Sequence, residues 1–234
     1  MSEGSVTKGT SVIQAEGGGV IPAPSLHFFI GLKDEACGLV KKYHYSHRLP
    51  AGIGFVGSFH ISGGLFGNRG EMVAAAIFSQ PSARWKDQDN MLELIRLVRK
   101  DGIRCPLTKL ISLCVSALRK RKYDLLVSYA DSTHGHEGYV YRASGWNYHG
   151  QNNPCMDGLI IDGEFIPGRT CNAIYGTRSP VKLKRLHSEL DIKPHYDMGK
   201  HLYWKALGRR GTQKADMIGL TINAWKYTMG INES

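Results

Sequence analysis

The sequence contains no apolar run near the ~18–20 residues that a membrane-crossing helix needs, so we expect no helical membrane span. It has no Cys-x-x-Cys pair. Its five cysteines (Cys37, Cys105, Cys114, Cys155 and Cys171) are scattered and odd in number, which argues against a zinc ribbon or a disulfide framework and points to reduced thiols in a cytosol. Residues 1–19 are small, polar and glycine-rich with no apolar stretch, so a secretory leader is not expected. Acidic residues are the scarcer charge: 20 Asp and Glu face 30 Lys and Arg, for a formal charge of +10. A basic protein of this size meets polyanions, with nucleic acid the first expectation. No internal repeat and no domain-sized shift of composition is visible.

What is present is an alternation of short elements. Residues 1–24 read as a flexible leader ending in Pro22 and Pro24. Strand-like stretches at 26–32, 54–62, 72–79 and 91–99 precede a clear helix after Pro106, in which Leu107, Leu110, Ile111, Cys114 and Leu118 form an apolar stripe. Asp34 is placed to cap a helix running to Lys42. A buried strand from Tyr123 ends at Asp131, a short helix runs from Glu137 to Ser144, and a strand follows at 146–150. A hairpin is expected around Asp162-Gly163, then a basic helix near 182–190, a strand near 201–207 and a basic tail from 208 to 234. Strand–helix–strand order over 91–150 implies parallel pairing through right-handed crossovers, and the earlier strands are joined by turns. The expected fold is α/β: a mixed, partly antiparallel twisted sheet flanked by helices, with a basic C-terminal extension. Residues 25–207 are the expected main domain.

The segment Tyr141-Arg142-Ala143-Ser144-Gly145-Trp146 resembles the end of the fourth helix of GNAT acyltransferases, whose tyrosine often serves as a general acid. A narrower resemblance spans nearly everything after residue 26. The segments YHYSHRLP, FSQP, SYADSTHGHEGYVYRASGWNYHG and GKHLYWKAL are similar to phage Mom-family proteins. That resemblance implies a GNAT-like transferase in the host cytoplasm. It would convert adenine in phage double-stranded DNA to its N6-carbamoylmethyl derivative and so protect that DNA from restriction. A homodimer stays open.

On that resemblance Asp131 and Tyr141 are candidate catalytic residues, with Ser116 on the polar face of the central helix beside Lys109 and Ser112. Each has a plainer reading: a helix cap for Asp131, a core tyrosine for Tyr141 and a solvated serine for Ser116. A GNAT fold implies an acyl-CoA-type small-molecule donor whose pyrophosphate meets an (Arg/Gln)-x-x-Gly-x-(Gly/Ala) loop at a helix start. Arg99 and Gly102 fit the first half, but Arg104 stands at the last small-residue position and hinders close backbone approach. His44 with His47 and His134 with His136 could share iron or another metal, or serve as ordinary polar or phosphate-contacting histidines. Between Arg178 and Lys214 lie ten Lys or Arg and three acids. Lys182, Lys184 and Arg185 of that run, with Tyr45, Arg48 and Trp146, are the expected DNA contacts. The competing functions are a GNAT acyltransferase acting on a protein or small-molecule amine, and a non-catalytic DNA-binding protein that keeps only the fold.

Overall fold

The computed structural model describes residues 25–225 except 51, 64–67 and 84, together with residues 12–13 and 21–22. The rest of the expected leader, residues 64–67 of the first hairpin turn and the tail beyond Trp225 lie outside the described residues. Two short strands, β1 (Val12–Ile13) and β2 (Ile21–Pro22), pair with each other. The chain divides into two units, the first made of Met1–Arg84 and Leu92–Tyr123, the second of Trp85–Met91 and Asp124–Ser234.

The first unit holds β3 (Leu26–Ile30), α1 (Lys33–Tyr43), β4 (Phe55–Gly63), β5 (Asn68–Ser79), β6 (Met91–Arg99) and α2 (Leu107–Lys120). Its strands form an antiparallel meander, β3 on β4, β4 on β5 and β5 on β6. The pleat sends alternate residues to opposite faces. Val56, Ala75 and Ile77 pack with Ala36, Leu39 and Val40 of α1, while the face of Gly57 meets Cys114 of α2. Leu110, Ile111, Cys114 and Leu118 of that helix are 0% exposed, so the stripe read from spacing is the buried one. Full burial of each such side chain is worth about 2 kcal/mol. Burial also pushes the Cys114 thiol far above its ordinary range, which makes it a packing residue.

Asp34 does not cap α1. The chain turns out of β3 through Gly31 (φ 100°) and Leu32 (φ 51°), so Leu32 holds the cap position. Asp34 and Glu35 instead lie in the first turn, where their charge suits the helix dipole.

The second unit contains β7 (Leu125–Asp131), a 3-10 turn (Ser132–His134), α3 (Tyr139–Ala143) and β8 (Asn147–Gln151). It continues with β9 (Met156–Ile161), β10 (Glu164–Pro167), α4 (Gly168–Tyr175), α5 (Pro180–Leu186), β11 (Ile192–Tyr196), β12 (Lys200–Ala206) and α6 (Arg209–Met217). The strand order is β3-β4-β5-β6 in the first unit and β7-β12-β8 in the second. One expectation fails here: β7 and β8 do not pair, because β12 runs between them, antiparallel to both. A strand arriving from far along the chain gives no signal in the local strand–helix order.

Residues between β8 and β12 build a small sheet, β10-β9-β11, with α4 and α5 on a core of Leu159, Ile161, Cys171, Leu183 and Ile192. The β9–β10 hairpin turns at Asp162 (φ 50°) and Gly163 (φ 86°), the left-handed pair of a type I′ turn that the Asp-Gly dipeptide favours. α5 ends before the expected 182–190 helix does, and Ile192–Tyr196 is strand. α6 is a helix within the expected basic tail. Its Gly211, Lys214 and Ala215 are buried, and Ala215 joins Leu125, Val127, Leu202 and Trp204 in one core.

Candidate functional site

Asp131 closes β7. One carboxylate oxygen accepts the Thr133 N–H at 3.1 Å and caps the 3-10 turn. The other lies 3.5 Å from Lys200 Nζ, with the Asp131 side chain 16% exposed. Capping of this kind stabilises by about 1 kcal/mol. Lys200 sits directly across the ladder from Asp131, a partner that sequence order alone did not indicate.

Register then sorts the faces of the second unit. Asp131, Tyr129 and Val127 pair with Lys200, Leu202 and Trp204, and Val127, Leu202 and Trp204 line the core beneath α6. His201 and Tyr203 therefore point to the opposite face. There Tyr203 pairs with Tyr148 of β8, and Tyr141 packs its ring 5.3 Å from that of Tyr203 and 5.4 Å from Trp146. Asp131 and Tyr141, the two candidate catalytic residues, belong to different faces of the sheet.

The Tyr141 face is an aromatic surface with its own hydrogen bonds. Tyr148 Oη meets His201 Nδ1 at 3.0 Å, and the Tyr203 hydroxyl donates to the Glu137 carbonyl at 2.6 Å. Burial pushes the Tyr203 hydroxyl well above the usual tyrosine range and also raises Tyr148. It lowers His201, against the opposing influence of Glu137. Tyr141 and Trp146 are 7% and 5% exposed, so Trp146 is a core residue rather than an open stacking surface. Glu137, His201 and Tyr203 are the members that sequence reading missed. The signal for His201 and Tyr203 was β12, whose alternation of these two against Leu202 and Trp204 marks a strand buried on both faces; Glu137 carried none.

In the first unit the loop from β6 to α2 carries the expected donor-binding residues. Gly102 is left-handed (φ 73°) with open space at its α-carbon, and Arg99, Arg104 and Lys109 are exposed. α2 begins without a side-chain cap and without an acid in its first turn, leaving backbone N–H groups and three cations for an anion. These residues suit a phosphate-bearing donor held by side-chain charge. Arg104 keeps that hold from being the close backbone cradle of small residues. Ser112 and Ser116 are exposed and donate back to Thr108 and Ser112 carbonyls at 2.9 and 3.0 Å, the usual habit of helical serines.

The YHYSHRLP segment follows α1. His44 is buried, and its Nδ1 accepts from the Ser46 N–H at 3.1 Å. His47 Nδ1 faces the Lys41 carbonyl at 2.8 Å, so that nitrogen carries the proton. Tyr45 is 47% exposed; Arg48 is exposed, and its carbonyl accepts from Arg96 Nε at 3.1 Å. His134 and His136 are both exposed in the turn beyond Asp131. Among the described residues no group of three or more His, Cys, Asp or Glu is arranged to hold a metal ion, and none of the helices is long and apolar enough to cross a membrane.

The basic run divides by partner. Lys214 is buried on Asp87 at 2.8 Å, Arg210 pairs with Asp124 at 3.3 Å, Lys193 with Asp191 at 2.8 Å, and Lys205 donates to the Gly145 carbonyl. Lys182, Lys184 and Arg185 are exposed on α5, and no ion pair among the described residues includes them. α5 is thus the concentrated outward charge.

Solved structures similar to this chain include acetyltransferases. One from Bacillus subtilis in complex with CoA is 10% identical with a TM-score of 0.44, covering 78% of this chain and 99% of its own. An N-acetyltransferase from Staphylococcus aureus is 10% identical with a TM-score of 0.45, covering 79% and 99%. A GNAT-family N-acetyltransferase from Escherichia coli in complex with CoA is 13% identical with a TM-score of 0.41, covering 54% and 71%. The comparison with curated proteins returns no match. The model of the Mom protein family matches residues 27–217, most of the two units just described, and the chain therefore belongs to the Mom protein family.

Proposed function

We propose that this chain is a transferase that modifies adenine N6 in double-stranded phage DNA with a carbamoylmethyl-type group taken from a small-molecule donor. The observation that carries this reading is the family match over residues 27–217. The exposed cations of α5 support it as a phosphate-binding surface, and the aromatic face of the second unit supports it as a place for a flipped base. A phosphate-bearing donor would meet Arg99, Arg104, Lys109 and the start of α2. When bound, the donor supplies the electrophilic carbon.

Adenine N6 is a weak nucleophile because its lone pair is delocalised into the ring. As the N6–carbon bond forms and the bond from carbon to the leaving group breaks, one proton must leave N6 and one must reach the leaving group. We assign Tyr141, on the aromatic face with the base, the second proton, which it recovers from solvent. The first passes to solvent, and Asp131, on the opposite face, acts as a positioning residue through Lys200 and the turn after β7. A general acid of this kind contributes on the order of 10²- to 10⁴-fold.

The test is mass spectrometry of nucleosides from cellular DNA with and without expression of the chain. The expected result is a new carbamoylmethyl-type adenine nucleoside in the expressing cells. Asp131→Asn and Tyr141→Phe should each lose most of it while melting and binding DNA as the parent does. An unmodified adenine pool with folded, DNA-binding protein present overturns the function. Near-parental modification by both folded variants overturns the two roles.

A further inference from the structure

The aromatic face of the second unit already has an occupant. The segment after α6 crosses to β8: the Thr221 N–H donates to His149 Nδ1 at 3.0 Å, the Asn223 N–H to the Tyr148 carbonyl at 2.8 Å, and the Thr221 carbonyl accepts from Trp204 Nε1 at 2.8 Å. A register shift in the β8–β12 ladder lies between Leu202 and Tyr203, where Gly150 and Tyr148 are paired and His149 is left out of the pairing, which turns His149 toward this segment. The segment delivers Trp225 onto the face.

The Trp225 ring centroid is 4.6 Å from His201, 4.9 Å from Tyr148 and 6.4 Å from Tyr203, the last nearly parallel at 25°. The Arg142 guanidinium lies 4.1 Å from it. These are the contacts by which proteins hold a planar heterocycle: aromatic stacking and edge contact, with a cation over the ring. Three polar atoms of this face are unmatched. Trp225 Nε1, Trp146 Nε1 and Glu137 Oε2 are buried with no hydrogen-bond partner among the described residues. Buried donors and acceptors are rarely left this way. Trp225 has one ring N–H and offers Glu137 nothing in this pose. A ring carrying an exocyclic amine would have a donor for a carboxylate acceptor.

We propose that the platform of Tyr148, His201 and Tyr203 is a stacking site for an amino-bearing purine, that Glu137 accepts from the purine's amine, and that Trp225 is the resident stand-in displaced when the purine enters. This deepens the reading of the chain as an adenine-modifying enzyme and rests on it for the source of the purine. A base flipped from DNA and the purine of a nucleotide-like donor share this chemistry.

The test uses the full chain. DNA with 2-aminopurine opposite an abasic site reports stacking by fluorescence quenching, and free adenosine 5′-phosphate competes in a parallel arm. Trp225→Ala should bind the extruded base about tenfold more tightly while its affinity for ordinary duplex is unchanged. Adding Tyr148→Leu to it should remove the gain. A gain confined to DNA identifies the flipped base as the occupant; a gain confined to the free nucleotide identifies the donor's purine. Glu137→Gln should keep the stacking and lose discrimination between adenine and hypoxanthine; retained discrimination overturns the role of Glu137. No gain in either arm by a Trp225→Ala chain that melts normally overturns the site. Where that variant does not fold, fluorinated tryptophan in the parent chain answers the same question. The Trp225 resonance, assigned through Trp225→Phe, should move toward its solvent position in the DNA or nucleotide complex, and an unmoved resonance at saturation overturns displacement. Cellular adenine modification with an indifferent Trp225 would refute this inference and leave the function standing. Stacking without cellular modification would do the reverse.

Discussion

Gly138 enters α3 with φ 72°, and a β-carbon there would fall well inside contact with the Tyr203 ring. A left-handed backbone is open to glycine at little strain. Here the missing side chain also lets Tyr203 reach the Glu137 carbonyl. Gly138→Ala should therefore destabilise the protein by about 1–3 kcal/mol, through positive-φ strain together with overpacking. Chemical denaturation measures it, and a change within about 0.5 kcal/mol, the range of an ordinary surface substitution, would show that the ring does not press on this turn. Sequence reading put Gly138 inside the helix expected from Glu137 to Ser144, whereas it is the left-handed residue before α3; its packing duty was not legible, because Tyr203 is far away in sequence. Cys155 shows the same division. It is exposed, yet burial and the neighbouring Asp197 carboxylate raise its thiol above the ordinary range, so exposure alone does not make it a reactive nucleophile.

At the scale of elements, the short helix α5 sets the expected charge surface. It is nucleated by Pro180 in the first turn and by Ser179, whose Oγ accepts the Lys182 N–H at 3.4 Å. It buries Leu183 and turns Lys182, Lys184 and Arg185 outward. Replacing those three by Ala should weaken duplex binding on every sequence alike. The slope of log affinity against log salt should flatten by about 0.9 for each phosphate that is no longer neutralised. Lys214→Ala, from the same basic run, should instead lower stability and leave the salt slope alone, because Lys214 is only 8% exposed and bound to Asp87. Filter binding across a salt series, run beside thermal melts, separates the two. A triple variant with an unchanged slope removes α5 from the interface.

At the scale of the whole molecule, two half-buried histidines link stability to pH. His149 accepts the Thr221 N–H, and burial lowers it from 6.5. His201 is likewise lowered by burial; of the charges near it, Arg142 acts in the same direction and Glu137 opposes. Both bind protons more readily in the unfolded chain. Their contribution to stability is therefore complete above about pH 6.5 and declines as pH falls below it toward their folded values. Melting temperature should drop as pH is lowered from about 7 to 5. His149→Asn, which keeps an acceptor but does not titrate, should flatten that drop. A parent profile that is level across this window would show that neither ring loses its partner on protonation.

The sequence by itself determined the class of the fold and the location of most elements. Apolar spacing is a local quantity: the Leu110–Leu118 stripe, the strand at 91–99 and the Asp162-Gly163 turn depend on neighbours within a few residues, and all three appear where expected. Family membership was also legible, in YHYSHRLP and in the stretch ending GWNYHG, now matched over residues 27–217. The tertiary structure alone decided what depends on distant pairing. Insertion of β12 between β7 and β8 brings Lys200 to Asp131 and Tyr203 to Tyr148. A side-chain period of two then sends Asp131 and Tyr141 to different faces. Folding also bound Lys214 and Arg210 to internal carboxylates and left α5 outward, which a count of charges cannot foresee because it carries no partners. Trp225 came onto the aromatic face through hydrogen bonds to His149 and Tyr148, more than seventy residues earlier in the chain. Contacts of that sequence separation are fixed by the strand ladder and by burial, and no local pattern records them.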